Sequence, residues 1–377
     1  MKIALFGGSF NPVHKEHVNI VKAAVEAYGL DRVIIIPTFI TPDKAARAVS
    51  PSARLEMCRL AFGGVECAEV SDYEITKTDV SYSYITCRHF REIYPDGELY
   101  FILGADMLEN FPRWKNPREI LKCVNLLVCA RENGESLIAA CKTFKDAFGF
   151  KPATFGYVGG KVSSTRVRVL ASLGESVEEF TGEMTANYIS RNKIYLLPRL
   201  HEVKNYLTPS RWRHTLRVAE MAAENCARLK IDEVTAVTAA ALHDCAKYSG
   251  ADAAELKGFV CPKNVPDSVV HQYAGAYVAE RVFGITDKEI SAAIACHASG
   301  RKNMSPLDKL IYLCDMLEGG RNFDGVEELR KIFARDIDEC LCAALKHQID
   351  YLESSGAEIY PLTKEAYEFI KGKNNGK

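Results

Sequence analysis

The sequence lacks the features that mark membrane, secreted and nucleic-acid-binding proteins. No apolar run approaches the roughly 18 residues that a membrane-spanning helix needs, and the apolar stretch before Gly7 and Gly8 is too short for the core of a signal peptide. The 48 basic and 49 acidic residues nearly balance, so no excess of positive charge favours a nucleic acid or an anionic membrane as partner. We therefore expect a cytoplasmic protein that binds neither.

The sequence also lacks the cysteine spacing of a disulfide framework. Its 13 cysteines are odd in number and irregularly spaced, and no two form a CxxC pair. This predicts reduced thiols, most of them buried as small hydrophobic side chains. Apolar residues (47%) and charged residues (26%) are present in the amounts typical of globular proteins, and 377 residues suffice for two or three domains.

The pattern of apolar residues divides the chain into two halves. Residues 1–197 alternate short β-rich runs (3–6, 33–37, 99–103 and 125–129) with segments of helical spacing (18–28, 50–62 and 81–93), which predicts an α/β domain with a parallel sheet. Strand signals nearly vanish after Leu197, so residues 210–370 are predicted to form an all-α helical bundle. Residues 198–209 are the predicted linker, and residues 371–377 are predicted to be a frayed tail.

The most informative segment of the first half follows the first predicted strand. Its sequence GGSFNPVHKEHV (residues 7–18) places two glycines where the backbone can approach a ligand closely, and then starts a helix whose N-terminus attracts anions. His14 and His17, three residues apart, project from one face of the first helical turn. Two imidazoles there can donate hydrogen bonds to phosphate oxygens that gain charge during phosphoryl transfer. The alternative is a plain turn with one capping and one exposed histidine.

This segment resembles the HxGH signature of the nucleotidylyltransferase superfamily, and the whole first half resembles bacterial nicotinate-mononucleotide adenylyltransferases. The other motifs follow in the family's order: PTFITPDK (37–44) with Ser50 and Arg54, Glu74 and Lys77 before VSYS (80–83), LYFILGADMLENFPRW (99–114), LLVCARE (126–132), VSSTRVR (162–168) and NYISRNKIYL (187–196). The resemblance implies a Rossmann-like fold. It also implies a reaction that joins nicotinate mononucleotide to the α-phosphate of ATP, with Mg²⁺ accompanying ATP and pyrophosphate released.

The resemblance implies catalytic residues that align the two phosphates and neutralise their charge, namely His14, His17, Lys44 and Arg168. Ser163 and Ser164 open a predicted helix that their hydroxyls could cap. Tyr82 and Trp114 offer flat faces for the pyridine ring, although Trp114 could instead be a core aromatic. The remaining implied substrate-binding residues are Gly7, Gly8, Ser9, Phe10, Lys77, Ser81, Ser83, Gly104, Asp106, Arg131 and Thr165.

Five positions depart from the motifs of that family. Glu16 replaces the glycine of HxGH and Asp43 replaces a histidine, and either carboxylate would repel phosphate if it faced the site. Thr41 replaces a proline, Ser83 a threonine, and Lys77 an arginine, which keeps the charge but loses the bidentate fork. These departures leave open the alternative that one half is a catalytically inactive, nucleotide-binding regulatory module.

The second half places histidines and aspartates on otherwise apolar helices. His243 and Asp244 end one apolar stripe, and Asp315 adjoins another. Polar groups inside a helix interface are costly unless they are paired or bind a metal, and groups on separate helices of a bundle can converge on one cavity. Imidazole combined with carboxylate suits iron, manganese, zinc or nickel rather than calcium. The alternative is that each histidine is a hydrogen-bonded packing residue.

The order His214, His243-Asp244, His271, His297, Asp315 resembles HD-superfamily phosphohydrolases, and one branch in particular, the HD-type symmetrical diadenosine-tetraphosphate hydrolases. The supporting motifs are RWRHTLRVAEMAA (211–223), AALHDCAK (240–247), VHQYAGAYVAE (270–280), ACHASGRKNMSPLDKLIYLCDMLEGGRNF (295–323) and IYPLT (359–363), with Gln272 where the family has glycine.

This second resemblance implies two divalent metals, iron or alternatively manganese. The implied ligands are His214, His243 and Asp315 for one metal, His271 and His297 for the other, and Asp244 as the bridge. Asp244 and Lys247 are the implied catalytic residues, and Arg301 and Arg321 further phosphate contacts.

Together, the halves predict a bifunctional enzyme whose partners are ATP, nicotinate mononucleotide and dinucleoside polyphosphates. In the alternative reading, the second half hydrolyses another nucleotide. The sequence leaves the native metal and the oligomeric state open, a homodimer included.

Overall fold

The computed structural model describes residues 1–40, 49–77, 80–130, 135–157, 159–160, 162–250 and 252–374. The chain forms two compact units, one of Met1–Ala171 with Ser176–Tyr195 (unit 1) and one of Ser172–Glu175 with Leu196–Lys377 (unit 2). Within the described ranges, no helix is both long and apolar enough to cross a bilayer. All 13 cysteines are free thiols and eight are buried, which confirms the reading of the cysteine pattern.

Unit 1 is built around a six-stranded parallel sheet with the strand order β3-β2-β1-β4-β5-β6. The strands are β1 (Lys2–Gly8), β2 (Arg32–Pro37), β3 (Ala68–Val70), β4 (Glu98–Gly104), β5 (Asn125–Ala130) and β6 (Ala153–Gly156). Ala4 and Phe6 of β1 pack in the core on one face of the sheet, and Ile3 and Leu5 pack in the core on the other. Burial on both faces explains the continuous apolar runs. The predicted α/β fold is confirmed.

Helices cover both faces of this sheet. α1 (Lys15–Tyr28) and α2 (Pro51–Phe62) contribute to the core that contains Phe6, whereas α4 (Ser83–Ile93) contributes to the core that contains Leu5. The other helices are α3 (Tyr73–Thr76), α5 (Ala105–Asn110), α6 (Pro117–Cys123), α7 (Glu135–Phe148), α8 (Ser164–Ser172), α9 (Glu178–Thr181) and α10 (Glu183–Arg191), with a 3₁₀ turn at Phe111–Arg113.

The strand order places the functional segment of unit 1. Connections run one way from β1 to β2 and β3 and the other way from β4 outward, so the order reverses between β1 and β4. In open parallel sheets, ligands bind at the carboxyl ends of the strands at this reversal. The turn after Gly8, which leads into α1, lies at that point.

Unit 2 is helical throughout its described part, residues 172–175, 196–250 and 252–374, where no strand occurs. Its helices are α11 (Pro209–Asn225), α12 (Glu233–Leu242), α13 (Asp267–Arg281), α14 (Lys288–Ile294), α15 (Pro306–Leu317), α16 (Val326–Arg335), α17 (Ile337–Ser354) and α18 (Pro361–Asn374). Thr208, Asp232 and Ser305 cap α11, α12 and α15 by accepting hydrogen bonds from backbone N–H groups of the first turn. The predicted all-α second domain is confirmed.

The segments predicted as linker and tail carry helical structure. Residues 200–206 of the linker form a 3₁₀ helix whose Leu200 and Val203 are buried. α18 extends to Asn374, within the predicted tail, and residues 375–377 lie outside the described residues.

Candidate active sites

The turn between β1 and α1 holds the two predicted catalytic histidines side by side. His14 is the N-cap residue of α1 in an extended conformation, and its ring centroid lies 3.8 Å from that of His17. The backbone N–H of His14 donates to Nδ1 of His17 at 3.1 Å. In a neutral ring Nε2 then carries the proton, and the predicted hydrogen bond from His17 to phosphate stays a prediction.

Phe10 packs against this turn through its contact with His17. Its ring is buried and meets the His17 ring edge to face at 5.1 Å between centroids. Its backbone has a φ of 44°, a conformation that non-glycine residues rarely adopt. A Cβ atom on Gly8 would lie 3.2 Å from the Phe10 ring, which explains the second glycine. Phe10 therefore orders the turn, and a direct contact with substrate stays a prediction.

The VSSTRVR segment is tied to the same turn. Ser163 Oγ accepts from the N–H of Arg166 at 3.1 Å and caps α8, as predicted, while Ser164 Oγ donates to the carbonyl oxygen of Pro12 at 2.9 Å. The buried Arg168 donates to the carbonyl oxygen of Asn11 at 2.8 Å and to the Thr165 hydroxyl at 3.2 Å. The bonds to Pro12 and Asn11 join two segments more than 150 residues apart. The predicted contact of Arg168 with phosphate stays a prediction.

The residues expected around the pyridine ring lie near the ends of β2 and β4. Tyr82 is the N-cap residue of α4, which Ser83 begins, and Ser81 Oγ accepts from the N–H of Phe39 at 2.9 Å. Trp114 is half-buried against Phe101 and Phe111, so one part packs on the core and the rest is exposed.

The remaining predicted residues of unit 1 have various placements. The Lys77 ammonium donates to the Tyr73 hydroxyl at 2.6 Å. Gly104 precedes α5, and a Cβ atom there would lie 2.5 Å from Oδ1 of Asp106. Four positions discussed above, Thr41, Asp43, Lys44 and Arg131, lie outside the described residues.

The six predicted metal ligands of unit 2 converge on one point. Nε2 of His214 lies 2.9 Å from Oδ1 of Asp315, and Nε2 of His243 lies 3.1 Å from Oδ2 of Asp244. The other oxygen of Asp244, Oδ1, lies 3.5 Å from Nε2 of both His271 and His297. Asp244 therefore lies between His243 on one side and His271 with His297 on the other. Two groups, His214 with His243 and Asp315, and His243 with Asp244 and His297, have ligand atoms within 4.8 Å of one another.

Hydrogen bonds aim the imidazoles at this cluster. Nδ1 of His243 lies 2.6 Å from the carbonyl oxygen of Ala240, and Nδ1 of His297 lies 2.8 Å from that of Ile294. Nδ1 of His214 lies 3.0 Å from Oε1 of Glu318. Because these oxygens only accept, Nδ1 carries the proton and Nε2 keeps its lone pair.

The inward nitrogens provide the test of whether a metal fits. Nε2 of His214, His243 and His297 is buried and forms no hydrogen bond among the described residues, and carboxylate oxygens face these three atoms at 2.9, 3.1 and 3.5 Å. Such a buried polar atom is costly unless a partner satisfies it. Three lone pairs converging beside two carboxylates are the donor set that a divalent transition metal takes. The residues present therefore fit a metal.

The electrostatics keep the cluster ready for a cation. Burial alone raises the pKa of Asp244 and Asp315, but the adjacent histidine rings, when protonated, outweigh burial and hold both pKa values well below the usual range. Burial, helped by His297 and Lys247, lowers the pKa of His271 to about 3. Near neutral pH the carboxylates are thus charged and His271 is neutral, the states that bind metals.

Three cationic side chains surround the carboxylates. Arg211 donates to Asp244, Lys247 Nζ lies 3.3 Å from Oδ1 of Asp244, and Arg321 Nη2 lies 2.6 Å from Oδ1 of Asp315. Arg301, predicted to contact phosphate, is instead paired with the buried Asp308 at 2.5 Å. Lys247 and Arg321 therefore border the cluster, whereas Arg301 is engaged at the start of α15.

A cavity of about 460 Å³ opens beside the cluster. Lys247 and His271 form the side nearest the carboxylates, and the apolar part includes Leu256, Phe259 and Val270. The lining residues are Ala246, Lys247, Ser249, Leu256, Phe259, Cys261, Asp267, Val270, His271 and Ala274. The cavity combines apolar side chains with the polar groups of Lys247, Ser249, Asp267 and His271, which suits an organic ligand that carries charge.

Comparison with known proteins assigns both units. A cytidylyltransferase-like family model matches residues 5–170, and an HD domain model matches residues 211–320. A Mycoplasma genitalium protein named "Probable nicotinate-nucleotide adenylyltransferase/Ap4A hydrolase" is 31% identical over 359 residues, which cover 92% of this chain and 97% of that protein. The chain belongs to this adenylyltransferase/hydrolase family.

A second relative agrees with this assignment, and one solved structure is similar to part of the chain. A Mycoplasma pneumoniae protein of the same name is 31% identical over 330 residues, covering 83% of this chain and 88% of that protein. A Clostridium acetobutylicum crystal structure, described as a "predicted HD superfamily hydrolase involved in NAD metabolism", is 30% identical with a TM-score of 0.43, covering 46% of this chain and 95% of that one. The family pairs a nucleotidyltransferase domain with an HD domain, which confirms the predicted bifunctional enzyme. An HD domain implies divalent metal binding, which confirms that a divalent metal binds in unit 2.

Several supporting residues of this family member were not predicted. The buried Arg54 donates to the carbonyl oxygens of Ser9, Thr38 and Phe39 at 2.6–2.9 Å and so fixes the start of the turn, although only its place in a motif pointed to it. Arg211 and Glu318 flank metal-ligand positions in the quoted motifs. Their proximity in sequence was the available signal, but their contacts were not readable from it.

The family departure at Gln272 has a clear structural setting. Its fully buried amide oxygen accepts from the N–H groups of Ala298 and Ser299 at 3.2 and 3.1 Å, and its Nε2 donates to the Ser299 hydroxyl at 3.0 Å. The loop that it holds follows His297 directly. Gln272 therefore braces a predicted ligand of the metal cluster.

Proposed function

We propose that unit 1 transfers AMP from ATP to nicotinate mononucleotide, giving nicotinate adenine dinucleotide and pyrophosphate. We also propose that unit 2 hydrolyses diadenosine tetraphosphate symmetrically to two ADP. The corresponding domains are residues 1–197 and 210–370, joined by residues 198–209. The name of the full-length relatives supports both substrates. The structural observation that carries the hydrolase half is the convergence of three buried Nε2 atoms, none of which forms a hydrogen bond among the described residues, on the carboxylates of Asp244 and Asp315.

In the transferase, the phosphate of nicotinate mononucleotide attacks the α-phosphorus of ATP, and the bond from that phosphorus to the bridging oxygen of the β-phosphate breaks. The nucleophile is already an anion, so the protein needs no general base. Its tasks are to align the phosphates and to neutralise charge. The His17 Nε2–H group and the N-terminal dipole of α1 are placed to do this. Mg²⁺ bound to ATP would neutralise further charge.

The transferase is tested with the full-length protein, ATP and nicotinate mononucleotide. We expect pyrophosphate and the dinucleotide in equal amounts, and a loss of rate of about 100-fold in His17→Ala because a donor to the developing charge is removed. Nicotinamide mononucleotide in a parallel reaction measures the preference for the acid. If the wild type releases no more pyrophosphate than His17→Ala, unit 1 is instead the inactive regulatory module.

In the hydrolase, bound divalent metals would polarise the phosphate and activate water, with His214, His243, His271, His297, Asp244 and Asp315 as their ligands. Lys247 lies between Asp244 and the cavity, where its ammonium can hold a phosphate of the substrate. The apolar cavity, at about 460 Å³, has room for one nucleoside, and Phe259 offers its ring to the base. This placement favours a nucleotide substrate over a small phosphate ester.

Product analysis distinguishes the substrates of the hydrolase. With Fe²⁺ or Mn²⁺ supplied anaerobically, diadenosine tetraphosphate should yield ADP alone, whereas asymmetric cleavage would give ATP and AMP. Phe259→Ala should raise KM for diadenosine tetraphosphate about tenfold and leave cleavage of p-nitrophenyl phosphate unchanged, because only the former carries a base. Faster cleavage of a nucleoside mono- or diphosphate or a guanosine tetraphosphate would favour the alternative substrate.

A further inference from the structure

Glu16 connects the first turn of α1 to a distant glycine-containing segment. Its Oε2 atom accepts from the Tyr157 hydroxyl at 2.8 Å and from the N–H of Gly160 at 2.9 Å. Glu16 is buried, with only 8% of its surface exposed. The carboxylate therefore has two donors outside its own helix, and these donors fix its direction.

Gly159 lies so close to this carboxylate that a side chain would collide with it. A Cβ atom on Gly159 would lie 2.5 Å from Oε2 of Glu16 and 2.8 Å from the Tyr157 ring. Both contacts are closer than real Cβ atoms make. Gly159 therefore leaves the space that the Glu16 carboxylate occupies, and the two residues are matched.

Two further contacts join the same two parts of unit 1. Ser164 donates to the carbonyl oxygen of Pro12, and Arg168 donates to that of Asn11. The Glu16 contact adds hydrogen bonds from Tyr157 and Gly160, which precede the cap of α8 at Ser163 in the chain. Residues 11–16 are thus bonded to described residues both before and after the serines.

We propose that Glu16 is a positioning residue for ATP: its carboxylate holds Tyr157 and Gly160, so that the Ser163–Ser164 start of α8 stays fixed beside the histidine turn. In this role the carboxylate is directed at its own donors and not at the phosphates. The proposal rests on the proposed adenylyl transfer in unit 1. It replaces the expectation of phosphate repulsion with a structural use of the charge.

Substitution by glutamine separates these two roles of Glu16. Both hydrogen bonds end on a single oxygen, so the one amide oxygen of Glu16→Gln can accept both. We expect KM for ATP within about twofold of wild type in Glu16→Gln, and a rise of about tenfold in Glu16→Ala, with a smaller change in kcat. If the charge repels phosphate, both variants should instead bind ATP more tightly than wild type.

A charge-matched control lies on the same helix. Glu26 is exposed near the other end of α1, so Glu26→Ala removes the same charge without touching the segment at residues 157–160. This variant should match wild type in every measurement. If it raises KM for ATP as much as Glu16→Ala does, the effect is one of net charge and the proposal fails.

A double-mutant cycle with Gly159 tests the contact itself. Gly159→Ala should raise KM for ATP in the wild-type background, because the new methyl group displaces the carboxylate. In Glu16→Ala the methyl group meets no carboxylate, so the added effect should be less than half as large. Equal effects in both backgrounds would overturn the proposal.

Hydrogen exchange keeps the test independent of the reaction. The Gly160 N–H group donates to Glu16, so a peptide covering it should exchange about tenfold faster in Glu16→Ala than in Glu16→Gln or Glu26→Ala. A wild type without transferase activity would refute the proposed function, but hydrogen exchange and ATP binding would still report on the contact between Glu16 and Gly160. Unchanged exchange in Glu16→Ala would refute the positioning role of Glu16 itself.

Discussion

Replacing Glu318 by glutamine should weaken metal binding to unit 2. Glu318 is buried, accepts from Nδ1 of His214, and receives further hydrogen bonds from Arg217 and from the N–H of Gly320 at 2.5 Å. Burial alone raises the pKa of Glu318, but His214, Arg217 and the Gly320 N–H group lower it to about 2. An ionised carboxylate therefore fixes the tautomer of His214 near neutral pH.

The size of the effect follows from this hydrogen bond. A bond to a charged group contributes about 1.5–3 kcal/mol, and at 1.4 kcal/mol per tenfold this corresponds to an affinity loss of about 10- to 100-fold, the range usual for partners of metal-bound histidines. Glutamine keeps the volume but loses the charge, and its amide can donate to Nδ1, which selects the tautomer that turns a proton towards the cluster.

The assay is a titration of metal-free, full-length protein with Mn²⁺, followed by calorimetry or by electron paramagnetic resonance. Glu328→Gln is the matched control, since Glu328 is 67% exposed on α16 and pairs only with surface charge at 3.3 Å from Lys331. Adenylyl transfer should be the same in both variants. An Mn²⁺ affinity of Glu318→Gln equal to that of the control would refute the argument that Glu318 aims His214.

Three further changes have expected outcomes. Gln272→Gly restores the residue typical of the hydrolase family but removes three hydrogen bonds to the loop after His297, so the unfolding free energy should fall by about 1–3 kcal/mol in urea unfolding. Arg54→Lys cannot reach three carbonyl oxygens at once, and we expect a loss of about 3 kcal/mol by the same measurement, whereas a neutral result would show that the fork is dispensable. Burial raises the pKa of Glu74 above 4.5 despite the hydrogen bond from Thr86. The unfolding free energy of the wild type should therefore fall as pH rises through 4.5 towards that raised pKa, because the unfolded state loses its proton first. Glu74→Gln should lack this loss when urea unfolding is compared at pH 4 and pH 7.

The sequence was most informative where burial is extensive. β1, β2, β4 and β5 are central or long strands covered on both faces, so each produced a continuous apolar run. β3 and β6 are edge strands of three and four residues with partly exposed side chains, and such short, half-exposed segments carry little pattern.

The metal cluster was predictable as a set of residues but not as an arrangement. The motifs indicated His243, Asp244 and Asp315, because polar groups on apolar helices need a reason to be there. The carbonyl oxygens that orient the rings belong to Ala240 and Ile294, residues without distinguishing side chains. Glu16 shows the same limit, since its donors lie 141 and 144 residues away along the chain.

The position of β1 at the middle of the sheet has a consequence for biosynthesis. β1 is synthesised before β4, whose first residue is Glu98, so the second edge of β1 stays uncovered until β4 has followed it. The histidine turn that follows β1 gains its ties to Ser164 and Arg168 later still. Until Arg168 has been synthesised, unit 1 therefore exposes apolar strand edges and lacks the contacts that hold its histidine turn, a state in which chains are prone to aggregate.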